Sequence, residues 1–147
     1  MHGALLLVHI LCATIWTGGH IVLSCVVLPA ALKNRTPEVL LKFESGYEKL
    51  AMPALLLQVL TGIALAYRYM PNAANWVNPN DPISRLITAK LLLLALIAGF
   101  AIHARFRVLP NLNQNNLTVM AWHIIPVTLF SILFVVVGVS FRTGWFF

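Results

Sequence analysis

Residues 3–31 read GALLLVHILCATIWTGGHIVLSCVVLPAA, an apolar run without one aspartate, glutamate, lysine or arginine. A helix rises ~1.5 Å per residue and the hydrocarbon of a bilayer is ~30 Å thick, so the run is long enough to cross. It does not read as a cleavable signal peptide. No basic stretch precedes it, its apolar part is too long, and no small-residue cleavage site is followed by a soluble domain. Three more apolar runs follow, at about residues 50–69, 86–108 and 118–141, each of spanning length. Cys12 and Cys25 both fall in the first run; thirteen residues apart on a helix they stand ~20 Å apart and cannot bridge.

The composition agrees with four crossings. Of 147 residues, 60% are hydrophobic and 10% charged, where a soluble domain carries ~25% charged residues. A soluble enzyme, a disordered segment and a nucleic-acid-binding domain are all excluded. The net charge of +6 belongs to loops and helix ends. Within residues 32–49, Thr36-Pro37-Glu38 is a helix start, with a hydroxyl cap, a proline at the first position and an early acid, and predicts a short surface helix. Residues 70–84, rich in proline and asparagine, read as an irregular loop at the membrane interface. Residues 109–117 form a short polar turn. Such short connections predict an all-α, antiparallel up-down bundle of four transmembrane helices, one domain over residues 1–147.

Orientation follows from basic residues. Lys33, Arg35, Lys42, Lys49, Arg105 and Arg107 flank the first and third loops; Arg68, Arg85, Lys90 and Arg142 flank the other side. The excess places the first and third loops in the cytoplasm and both termini outside.

Four histidines, His9, His20, His103 and His123, fall within the apolar runs. Ionisable groups there are costly and face the bundle interior or a cavity. Alternating helix directions bring His20, His103 and His123 into the cytoplasmic half at one depth, within ~5 Å by rise per residue. His9 lies in the other half, ~16 Å along the helix from His20 but on the same face. Three histidines from three helices predict a metal or haem site, since imidazole is the commonest metal ligand. Met52 is a further candidate ligand. Gly18 and Gly19 leave room beside His20 for a flat cofactor, and Arg105 and Arg107 follow His103 toward the membrane edge, where haem propionates would emerge. Lys90, one turn inside its helix, is expected to snorkel outward; a pairing with His9 is the alternative.

These residues also carry a resemblance. The run from His9 through Trp16-Thr-Gly18-Gly19-His20, closed by Leu28-Pro29, resembles the opening helix of the copper-resistance protein D (CopD) family. So do Leu60-Thr61-Gly62 and the stretch from Arg85-Leu86 through Lys90 to His103-Ala-Arg105. The resemblance implies a polytopic inner-membrane protein of copper handling. A more distant one is to the membrane protoporphyrinogen oxidases of the HemJ type, carried by His9 and Trp16, Tyr47-Glu-Lys-Leu-Ala-Met52-Pro53 and Lys90; it implies haem b. In the fourth helix, His123-Ile-Ile-Pro126 departs from that family's acidic residue ahead of the proline.

Two functions are open on these grounds. Haem b, favoured, would make the protein a membrane b-type cytochrome or oxidoreductase, with a quinone or another redox protein as its partner. Copper binding or transport is the alternative, though soft thiolate and thioether donors, which Cu(I) favours, are few here. A metal-free structural subunit is the third reading. A second copy of the chain and the lipid bilayer complete the expected partners.

Overall fold

The computed structural model describes residues 2–146. Every regular element among them is helical. Helix α1 (His2–Val22) continues through a π-helical turn (Leu23–Val27) into α2 (Leu28–Asn34); α3 is Pro37–Tyr69. Helix α4 (Pro82–His103) runs on through a second π-helical turn (Ala104–Val108), and α5 is Leu117–Thr143. These make four spans long and apolar enough to cross a membrane, ending at Asn34, Tyr69, Asn111 and Thr143. The chain is a multi-pass membrane protein built as an up-down helix bundle.

Both π-helical turns precede a Leu-Pro pair, Leu28-Pro29 and Leu109-Pro110. Proline has no N–H to give, and the ladder widens in the turn before it. The N–H of Leu28 reaches back five residues to Leu23 O, and that of Leu109 to Ala104 O.

Two boundaries differ from the sequence reading. The charged segment after the first span is not a separate surface helix: Pro37 opens one helix of 33 residues that continues to Tyr69. At ~1.5 Å per residue it is ~50 Å long, so its first turns project beyond the hydrocarbon. The first connection shrinks to Arg35-Thr36. Arg35 takes a left-handed conformation (φ 51°), and its N–H and that of Thr36 both close onto Ala31 O.

Helix α1 packs most extensively on α3, α4 packs on α5, and α1 against α5 joins the two pairs. At one end Leu23, Leu28, Ala31 and Leu40 meet Val108, Leu117, Met120 and Ile124. Nearer the middle, Trp16, Ala51, Ile97 and Val127 bring all four spans together, with Tyr47, Phe100 and Phe134 around them. The irregular connection of residues 70–84 is pinned by side chains: Trp76 Nε1 donates to Met70 O at 2.9 Å, and Ser84 Oγ to Asn75 O at 2.7 Å.

Candidate metal site

His103 closes α4 and His123 lies in the second turn of α5; the antiparallel α4–α5 pair sets them side by side. His103 Nδ1 and His123 Nε2 are 2.7 Å apart. The ring planes differ by 9° and the centroids are 4.9 Å apart. Centroids so far apart, with nitrogens so close, require the two nitrogens to lie nearly on the line between the rings. The imidazoles are therefore coplanar and in line, with their nitrogens aimed at each other.

The protons on this pair follow from its partners. His123 Nδ1 lies 2.8 Å from Val119 O, and a carbonyl only accepts, so Nδ1 carries the hydrogen. His123 Nε2 is then a lone pair, and His103 Nδ1–H donates to it. A ring N–H held by a carbonyl is the arrangement that orients metal-ligating histidines. His103 is exposed and His123 half-buried. Phe100 stands edge-on to His123 with centroids 5.8 Å apart.

His20 stands apart from this pair. Its Nδ1–H donates to Trp16 O at 2.9 Å, and its own carbonyl accepts from Thr128 Oγ1 at 3.1 Å. Thr128 follows His123 by five residues, ~7.5 Å further along α5, so the common depth expected for the three histidines is not kept. Among the described residues no group of three His, Cys, Asp or Glu side chains converges.

The space expected beside His20 is also filled. A Cβ on Gly19 would collide with the edge of the Tyr47 ring, at Cε2, Cζ and the hydroxyl, whereas one on Gly18 would meet nothing within 4 Å. The Tyr47 hydroxyl donates to Trp16 O at 2.8 Å and approaches Ile15 O at 3.1 Å. Glycine at 19 thus admits a tyrosine from α3 rather than a cofactor. The sequence carries no signal for this contact across 28 residues.

The remaining candidates are placed as follows. Arg105 pairs with Glu48 at 3.1 Å, with side chains 56% and 35% exposed. Arg107 is exposed, and its carbonyl accepts from Asn111. Met52 points outward at 53% exposure, while Met120 is buried. Cys12 is buried and Cys25 exposed. His9 is buried, its Nδ1 2.9 Å from Thr61 Oγ1. Lys90 does not snorkel: its Nζ lies over the Phe134 ring at 4.3 Å from the centroid.

Haem b does not fit between these histidines. An iron with two axial imidazoles needs their nitrogens ~4 Å apart on opposite faces of a macrocycle. A single ion can enter this gap when the nitrogens part, but a macrocycle would also have to displace the side chains packed beside it, Phe100 among them, and the room at Gly19 is taken by Tyr47.

The family model for copper resistance protein D matches residues 41–141. The chain belongs to the copper resistance protein D family. No curated protein and no solved structure matches it. The matched stretch of this CopD-family chain begins within α3 and runs through α4 to the end of the fourth apolar run. It contains His103, His123, Met52 and the Glu48–Arg105 pair, and leaves His9 and His20 before its start.

Proposed function

We propose that this CopD-family protein handles copper within the membrane and that His103 and His123 are its copper ligands. The observation that carries this reading is the in-line contact of the two rings at 2.7 Å, with the His123 lone pair fixed by the Val119 carbonyl. Imidazole suits copper, and Cu(I) accepts two nitrogens in a line. Replacing the shared proton with a metal ion asks that His103 carry its proton on Nε2 instead of Nδ1 and that the nitrogens part from 2.7 Å to ~4 Å, at ~2 Å per bond. The rings need not turn out of their common plane. His103, on the exposed side at the end of α4, is the ring free to move.

Copper here is cargo. A site of two nitrogen donors, part-exposed and without a thiolate, suits capture and release better than storage. Anaerobic Cu(I) titration against a chromogenic chelator tests the reading, with visible spectroscopy on the same sample. One equivalent of copper, lost in His103→Ala and His123→Ala, supports it. A Soret band with sharp reduced α and β bands in the purified protein would return haem b and an electron-transfer role.

A further inference from the structure

A second set of polar side chains meets in the other half of the bundle, away from the histidine pair. Trp16 Nε1 donates to Ser131 Oγ, which fixes the register of α1 against α5. Seven residues earlier on α1 is His9; seven later on α5 is Gly138. A Cβ on Gly138 would lie 3.2 Å from Lys90 Nζ, and one on Gly62 3.1 Å from His9 Cε1. His9, Thr61, Lys90 and Gly138 therefore form one layer, with one residue from each span. The Lys90 ammonium is within Coulombic reach of the His9 ring.

Two groups at this layer are unmatched. Gln58, one turn from Thr61 on the same buried stripe of α3, is 6% exposed, and its Oε1 has no hydrogen-bond partner. Lys90 has the Phe134 ring beneath it and, among the described residues, neither a carboxylate nor a hydrogen-bond acceptor. His9 adds an acceptor. Thr61 gives its hydroxyl proton to Leu57 O, so His9 Nδ1–H must donate to Thr61 Oγ1, and Nε2 keeps its lone pair. Thr61 also lines a groove of about 480 Å³ between α1 and α3, walled by Ala4, Leu5, Val8 and Ala64, with Arg68 toward its outer end.

We propose that this layer binds the head group of a membrane-borne quinone or quinol. The ligand must bring an acceptor to Lys90 and a donor to Gln58 Oε1, and it must arrive from the bilayer without a charge. A quinol hydroxyl does both, its one proton going to Gln58 Oε1 or, in its place, to His9 Nε2. A quinone carbonyl accepts from Lys90, and the Gln58 amide, turned over, donates in place of accepting. The apolar groove ending at Thr61 takes the tail. The site shares no residue with the copper ligands, so either proposal can fail alone.

The test is calorimetric titration of the protein in lipid nanodiscs with decylubiquinol and decylubiquinone, against empty nanodiscs. One saturable site per chain is expected, weakened ~10-fold or more in Lys90→Met and in Gln58→Leu and unchanged in His123→Ala. Helix content and elution position check the fold of each variant, and Gln58→Met replaces one that fails. Binding no greater than that of empty nanodiscs overturns the proposal. So does binding by both variants at wild-type strength, which would mean that water fills the layer.

Discussion

The edge of the Tyr47 ring lies against Gly19 too closely for a Cβ there, and its hydroxyl donates to the Trp16 carbonyl oxygen at 2.8 Å. This contact joins α1 to α3 one turn before His20 leaves its N–H on the same carbonyl. It makes Gly19 a packing position.

Gly19→Ala is expected to destabilise the bundle by ~1–3 kcal/mol, because an extra methyl in a filled site forces side chains or backbone to shift. Gly18→Ala, with nothing within 4 Å of its Cβ, should lie within ~0.5 kcal/mol of the parent or slightly above it. Thermal melts of the two variants in one detergent compare them. Equal stability of the pair would mean that Tyr47 does not occupy the site.

Thr61→Val keeps the shape of the side chain and removes the hydroxyl that accepts from His9 Nδ1. A buried donor left without its partner costs ~1–3 kcal/mol. Chemical denaturation should show that loss, and His9→Leu in the Thr61→Val background should recover part of it. A recovery of nothing would place the His9 partner elsewhere.

Arg105→Gln should change stability by no more than ~1 kcal/mol. Its partner Glu48 is over a third exposed and Arg105 more than half, so solvent and salt screen the pair. Copper affinity should stay within a few-fold of the parent, since Arg105 pairs with a carboxylate and not with the metal ligands. A loss comparable to His103→Ala would make Arg105 part of the site.

The four spans were legible because an apolar run of spanning length has few other meanings. The meeting of His103 and His123 was legible too, since a short polar turn makes α4 and α5 antiparallel neighbours. Depth alone misjudged His20. It lies opposite Thr128, five residues beyond His123 on α5, and the register of α1 against α5 leaves no trace in spacing or hydropathy. Lys90 was misread for a similar reason. A lysine one turn inside a span can reach the interface, but Gly138 on α5 opens room for its ammonium over Phe134. The joining of the surface helix to the second span was hidden by composition, because the charges of residues 38–49 end the apolar run and hydropathy marks the hydrocarbon rather than the helix.

The excess of basic residues on the first and third loops predicts that these face the cytoplasm, with both termini outside. In a background lacking Cys12 and Cys25, Asn113→Cys should resist a membrane-impermeant thiol reagent added to intact cells. Asn80→Cys, at an exposed position of the second loop, should react. The reverse pattern would invert the orientation while leaving the bundle unchanged.

The copper ligands are tested most directly by anaerobic Cu(I) titration of the wild type, His103→Ala, His123→Ala and His20→Ala in the same detergent. The wild type should bind one equivalent. His103→Ala and His123→Ala should each weaken it by more than ~100-fold, as loss of a ligand exceeds the ~10–100-fold typical of an outer partner. His20→Ala, bonded to Trp16 and apart from the pair, should bind as the wild type does. Full copper binding by the His103→Ala, His123→Ala double variant would contradict the assignment.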